Sequence, residues 1–393
     1  MRRYFSFLFF TILLSTGQVK AQPLRAVVDH ALEFATQQSL LMAKKYEDQP
    51  GRLPRSFEQG KDTSSDSRWW CSGFFPGSLW YIFENSQNQE VLKYAKMYTD
   101  RVEREKYTTD NHDVGFMLYC SFGNGLRLTG AEHYKEVLLT GARSLATRYD
   151  PKVGLIRSWD HNKEVWQYPV IIDNIMNLEL LLWAASYSKD ESFSKIARSH
   201  ADKTMKYHFR PDYSSYHVVS YDRQTGVPHR KQTHQGYADD SSWSRGQAWG
   251  LYGYTYLYRE TKDKRYLDQA RHIADYLINH PKMPADFIPY WDYNTPDIPN
   301  TPRDASAACI MASALVELSD FVDAKSKEKY MQVLDRQIRT LASDAYTAKL
   351  GENGDFILKH STGAYPFKSE VDAPLTYADY YYLEALSRLK KKL

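Results

Sequence analysis

Two kinds of helical segment alternate along this chain, and the alternation limits what it can fold into. The stretch 174–187 reads NIMNLELLLWAASY and 305–318 reads ASAACIMASALVEL, apolar or small on nearly every side. A helix without a polar face has to be buried all round. The neighbouring segments carry apolar residues at three- and four-residue spacing among charges, the pattern of a helix with one face in a core and one in water. This reading predicts twelve helices, near 23–47, 76–86, 89–107, 114–127, 131–149, 174–187, 191–209, 242–260, 264–280, 305–322, 326–346 and 375–391. The odd-numbered ones are amphipathic, and Tyr134, Phe193, Tyr266 and Tyr330 mark an aromatic near the start of four of them. Their spacing is longer than that of the common solenoid helix pairs. Six amphipathic helices around six buried ones make an all-α (α/α)6 barrel, a toroid of six hairpins with a central cavity. Convincing period-two strands are scarce.

The N-terminus reads as an address. Arg2 and Arg3 precede an apolar stretch from Phe5 to about Leu14, and Val19-Lys20-Ala21 stands ahead of Gln22. That is the layout of a cleaved secretory signal over 1–21, with cutting after Ala21. The apolar run is well short of the ~20 residues that span a bilayer, and nothing later is long and apolar enough to do so. The expected location is the periplasm, with one catalytic domain over 22–393, since no linker or composition shift divides the rest. With 51 basic and 48 acidic residues the net charge is +3, which excludes a strongly basic nucleic-acid footprint. Cys71, Cys120 and Cys309 are odd in number and far apart, so they read as buried thiols and not as a disulfide framework. Aromatic residues make up 15% of the chain, a surplus that suits flat polar ligands such as sugars.

Unusual polar and aromatic residues fall where the even-numbered helices begin. Trp69 and Trp70 precede the second helix, His112 and Asp113 the fourth, and Asp173 opens the sixth. Asp239, Asp240, Arg245, Gln247 and Trp249 surround the start of the eighth, Arg303 and Asp304 the tenth, Tyr377 and Asp379 the twelfth. If the inner helices run parallel, all of these meet at one rim, where helix N-termini favour an anion. The convergence points to an acidic small molecule in a deep aromatic pocket. Capping alone explains an Asp just before a helix, so Asp113 and Asp173 each admit that reading, and Asp239-Asp240-Ser241-Ser242 reads as a cap. Two carboxylates framed by apolar runs, with His and Trp beside them, are also what a glycosidic acid/base pair requires. His208, His217, His229 and His234 are too irregularly spaced to read as a metal site.

The runs Asn111-His112-Asp113-Val114-Gly115-Phe116, Ile171-Ile172-Asp173-Asn174-Ile175-Met176-Asn177 and THQGYADDSSWSRGQAWGLYGY from Thr233 resemble glycoside hydrolase family 88, the unsaturated glucuronyl hydrolases. SGFFPGSLW from Ser72, RDASAA from Arg303 and EVDAPLTYADYYYLEAL from Glu370 extend the resemblance over nearly all of the chain after the signal. It implies a six-hairpin α/α barrel and a substrate left by a polysaccharide lyase, whose non-reducing uronate carries a C4=C5 double bond. It further implies that Asp173 protonates C4 and activates the water that adds at C5, with Asp113 as the like-charged partner that tunes it. By the same resemblance His112, His217, Gln235, Arg245 and Trp249 line the uronate and Trp70 stacks near the cleaved sugar. Arg245 would offer a guanidinium fork to the uronate carboxylate, with Trp249 as stacking surface on the same helical face. His234 is a further candidate, as are Lys359, His360, Ser361, Tyr365 and Lys368 for a sulfate on the second sugar. No cofactor and no metal are implied, because hydration of an enol ether needs neither. Glycosaminoglycan disaccharides are the first-choice substrate. An unsaturated rhamnogalacturonyl hydrolase, a sugar epimerase or isomerase on the same toroid, and a non-catalytic glycan binder remain alternatives.

Overall fold

The computed structural model describes residues 22–393, so the 1–21 signal lies outside the described residues. Twelve helices are present among them: α1 Leu24–Lys45, α2 Phe74–Ser86, α3 Gln89–Asp100, α4 114–129, α5 Glu132–Ala146, α6 Asn174–Ser188, α7 Glu191–Tyr207, α8 Ser244–Thr261, α9 Lys264–Asn279, α10 Ala305–Leu318, α11 Ala324–Leu341 and α12 Thr376–Lys390. Helix α4 runs through a π-helical turn at Tyr119–Gly123 between its two α-helical parts.

The even-numbered helices form a closed inner ring, in which α2 packs on α4, α4 on α6, α6 on α8, α8 on α10, α10 on α12 and α12 back on α2. The odd-numbered ones pack outside, with α1 against α2 and α12. This is the (α/α)6 barrel. Its driving force is the burial of the all-round apolar helices: in α10 every residue except Glu317 is buried.

Four of the inner helices turn into their outer partners through two residues. Gln87, Gly130, Lys189 and Lys262 take a left-handed conformation that ends α2, α4, α6 and α8. Asn88, Asp190 and Asp263, the second residues of three of these corners, accept backbone N–H bonds at the starts of α3, α7 and α9. The long connections lie at the other end of the ring, between each outer helix and the next inner one. They carry nine short antiparallel strands in four small sheets: β1 Leu53–Glu58 with β2 Lys61–Ser65, β3 Tyr149–Asp150 with β4 Leu155–Ile156, β5 Pro169–Ile171 with β6 Val218–Tyr221 and β7 Pro228–Gln232, and β8 Ser361–Ala364 with β9 Ser369–Ala373. Two- and three-residue strands such as β4 and β5 are too short to show a period of two, which is why the sequence pattern does not announce them. The three cysteines are buried and unpaired. No helix among the described residues is long and apolar enough to cross a membrane.

Candidate active site

The long connections wall a cavity of about 340 Å³ at the N-terminal ends of α2, α4, α6 and α8, lined by Trp69, Trp70, His112, Asp113, Asp173, Gln235 and Arg245 among others. The convergence expected from the sequence therefore holds for these four helices. Its tightest point lies between α4 and α6. A Cβ on Gly115 would stand 2.6 Å from Asn177 Cα, and the Phe116 N–H donates to Asn177 Oδ1 at 2.8 Å. Only glycine lets the first turn of α4 rest on the first turn of α6. Asp113 and Asp173, the residues just before those two helices, are thereby brought to one cavity.

Both stand at N-cap positions, and neither caps. Their side chains make no hydrogen bond to the helix that follows, whereas Asp190, Asp263, Asp304 and Asp323 do cap theirs. The capping alternative is excluded for Asp113 and Asp173, whose carboxyls are left for the cavity. Burial pushes the Asp113 carboxyl up to about 8, the charge of Asp173 adds to the rise, and Arg148 opposes it. Burial raises Asp173 to about 6, against the charge of Arg245, a backbone N–H and the indole N–H of Trp249. Two like-charged carboxyls in one dry site titrate as a pair. The larger rise falls on Asp113 and not on Asp173, because the Arg245 charge favours the ionised form of Asp173.

His112 is buried, with Nε2 3.4 Å from Asp113 Oδ1; burial and then Arg148 push it down to about 3, so it is a neutral hydrogen-bonding ring. His217 presents Nε2 at 3.7 Å to Asp173 Oδ2 and lies behind the cavity wall, under the Trp243 ring at 4.5 Å. Gln235 reaches the cavity, with its amide on the Gly363 carbonyl at 3.3 Å. Trp70 is partly open and packs on Tyr377 at 4.9 Å.

Two roles expected from the sequence need correction. Arg245 has no free fork: Nη1 donates to Thr362 O at 2.6 Å and to Asp304 Oδ2 at 3.2 Å, and Nη2 donates to Gly363 O at 2.6 Å. Only Nε lacks a partner. Arg245 is a buried clamp on β8 and a positive charge beside Asp173. Trp249 offers no stacking surface, since it is 0% exposed, sealed between Phe116 at 5.2 Å and Tyr381 at 5.3 Å. Its indole N–H has no hydrogen-bond partner among the described residues but lies near enough to Asp173 to favour the ionised carboxylate.

The remaining candidates lie off the cavity. The His234 ring packs on Phe367 at 4.8 Å and on Trp159 and Trp166 at 5.6 Å. Tyr365 stacks on Trp291 at 4.4 Å, and Lys368 is exposed beyond it. Lys359 is spent on the Asp344 carbonyl, His360 on Asp372 at 2.6 Å, and Ser361 is fully buried. At the rim, Asp239 does not cap α8 but accepts the Thr233 N–H, and Asp379 accepts the Ile357 and Leu358 N–H groups.

Sequence reasoning missed Arg68, Trp159 and His161, which line the cavity. None of them opens a helix. Trp159 and His161 stack at 5.2 Å, and Arg68 makes no ion pair or side-chain hydrogen bond within the described residues, leaving an exposed guanidinium at the mouth. The one legible sign was their company, an Arg beside Trp69-Trp70 and a Trp and a His close together in a polar connection.

The model of Glycosyl Hydrolase Family 88 matches residues 45–392. The unsaturated glucuronyl hydrolase of Formosa agariphila is 48% identical over 323 residues, covering 82% of this chain and 80% of that protein. The unsaturated chondroitin disaccharide hydrolase of Streptococcus pneumoniae is 33% identical over 337 residues, 83% of each. A crystal structure of an unsaturated glucuronyl hydrolase specific for heparin superposes with a TM-score of 0.90 at 48% identity, covering 94% of this chain and 98% of that one.

Proposed function

Since this chain belongs to glycoside hydrolase family 88, we propose that it removes the 4,5-unsaturated uronic acid from the non-reducing end of lyase-generated oligosaccharides, glycosaminoglycan disaccharides foremost. The observation that carries this reading is the pair of N-cap aspartates that cap nothing and face one buried cavity, where burial raises both carboxyls. The unsaturated uronate is an enol ether through its ring oxygen. A proton delivered from the Asp173 carboxyl to C4 leaves an oxocarbenium-like cation at C5, which the carboxylate then stabilises. Asp173 takes a proton from the water that adds at C5, and returns to its starting state. The hemiketal so formed opens and rearranges, and the C1–O bond to the second sugar breaks with release of that sugar. The pair holds one proton between its two carboxyls at neutral pH, and the step draws on the form in which that proton sits on Asp173 and Asp113 is the carboxylate.

Two observations support an anionic glycosaminoglycan fragment over a neutral one. The relatives at 33% and 48% identity carry chondroitin and glucuronyl hydrolase names, and Arg68, a cavity-lining residue, offers a cation that is unpaired among the described residues. We also propose export, on the signal layout of residues 1–21. The mature protein is expected to begin at Gln22 when its N-terminus is sequenced from cells.

The test of the activity is direct. The purified mature chain is mixed with unsaturated disaccharides from chondroitin, hyaluronan and heparin, and the ultraviolet absorbance of the conjugated double bond is followed. It should fall with glycosaminoglycan substrates. Turnover restricted to pectin-derived unsaturated fragments would assign the substrate to the rhamnogalacturonan class, and binding without any loss of absorbance would make the protein a binder.

A further inference from the structure

His217 lies just before β6 and is buried, with 3% of its surface exposed. Its Nδ1 accepts two backbone N–H groups, those of His234 and Gln235, each at 3.0 Å. A ring nitrogen that accepts from N–H donors carries no proton, so the neutral ring holds its proton on Nε2. Burial, followed by His234, Arg245, His208 and His112, keeps the ring neutral. Nε2 faces Asp173 Oδ2 from 3.7 Å, just beyond hydrogen-bond distance, and both atoms are buried with no hydrogen-bond partner among the described residues, so an unspent donor points at an unspent acceptor. The turn that fixes this tautomer is itself braced: the Gly236 N–H donates to Thr233 Oγ1 at 2.8 Å, and the Thr233 N–H donates to Asp239 Oδ1 at 2.8 Å.

We infer that His217 is a positioning residue for Asp173, a neutral donor locked in one tautomer and aimed at Oδ2, which it bonds when substrate fills the site, leaving Oδ1 to carry the proton delivered to substrate. The inference rests on the reading of Asp173 as the acid. Oδ2 is buried, so the exposure that Asp173 keeps, 8% of its surface, does not come from the oxygen facing His217. Because the ring is neutral and sits behind the cavity wall, His217 neither transfers the proton nor binds the uronate. Asp239 acquires a purpose by the same geometry, since it tightens the turn whose two N–H groups orient the imidazole.

Two variants separate donor from scaffold. H217N keeps an acceptor near the Nδ1 position and has no donor at Nε2, while H217Q places an amide N–H near the Nε2 position. H217N should fold, keep KM within about twofold and lose kcat by about tenfold or more, the order expected when a hydrogen bond to a charged group is lost. Its acid limb in the pH profile should move upward, because a lost donor raises the pKa of the carboxylate it served; Arg245, Asp113, His112 and the Trp249 indole, the other groups around the dyad, are unchanged. H217Q should recover part of kcat. Wild-type kcat with an unmoved profile in H217N would reduce His217 to a structural role, and a raised KM with unchanged kcat would make it a substrate ligand. The tautomer is read independently on the wild-type chain labelled with ¹⁵N in its imidazoles. A proton on Nε2 that does not titrate between about pH 5 and 8 is expected, and a proton on Nδ1 or a titrating ring overturns the assignment whether or not the variants fold. Failure of the wild-type protein on every unsaturated disaccharide would overturn the proposed function, and the spectrum would then decide His217 alone.

Discussion

At the scale of residues, the chemistry rests on two carboxyls held in different company. Asp173 has a cation and two N–H donors near it, while Asp113 has its neighbour's charge and burial. Asp173→Asn and Asp113→Asn should each abolish most turnover, by a factor of about 10² or more, with circular dichroism and chromatography showing a folded chain. Near-wild-type turnover in either would remove that residue from the mechanism. The dyad holds one proton between about 6 and about 8. A plot of kcat/KM against pH should therefore fall on both sides of that window, on the acid side as the last carboxylate is protonated and on the alkaline side as the last proton leaves. The sign for stability is opposite to that of a salt-bridged carboxylate. Both groups bind protons more tightly when folded, so their contribution is fully present at acid pH and is lost as pH rises toward their folded values. Asp113→Asn should accordingly gain stability over the wild type from pH 5 to pH 8, read by urea unfolding.

At the scale of elements, caps and corners do separate work. Asp263 caps α9 through the Arg265 N–H at the end of the ring away from the cavity. Asp263→Ala should cost about 1 kcal/mol of stability and leave kcat and KM as they are, whereas the two aspartates that cap nothing should show the reverse. Urea midpoints measured beside turnover give the comparison. The helices were legible because a three- and four-residue period over a dozen residues or more leaves little else to form. Their ends were less so. The segment 89–107 reads as one helix, yet α3 stops at Asp100 and a 3₁₀ turn covers Glu103–Tyr107. Apolar spacing continues across such a break, since both parts face the same core.

At the scale of the molecule, the active site is closed by a residue far from it in sequence. Arg245, on α8, is tied to Asp304 and to the carbonyls of Thr362 and Gly363, so it joins three of the long connections or helix starts into one wall. Arg245→Met removes the donors, leaving the buried Asp304 carboxylate without its cation and taking one donor from each of the Thr362 and Gly363 carbonyls. The expected outcome is a loss of several kcal/mol, together with lower kcat. If unfolding midpoints are unchanged and only KM rises, Arg245 is a substrate contact and not a clamp.

By itself the sequence determined the barrel, because all-round apolar helices have no stable place except inside a ring of amphipathic ones. It also identified Asp113, Asp173, His112 and Trp70 as residues gathered at one rim, since each stands where an inner helix begins or close before it, while Gln235 came only from the family resemblance. What a residue does there was decided by the tertiary structure alone. Whether an aspartate caps or stays free, whether Arg245 has donors left for a ligand, and whether Trp249 faces the cavity or the core all depend on partners 59 to 132 positions away. The hydrophobic effect is non-directional and can be read from periodicity. Hydrogen bonds and burial are directional and local in space, and no linear pattern records them.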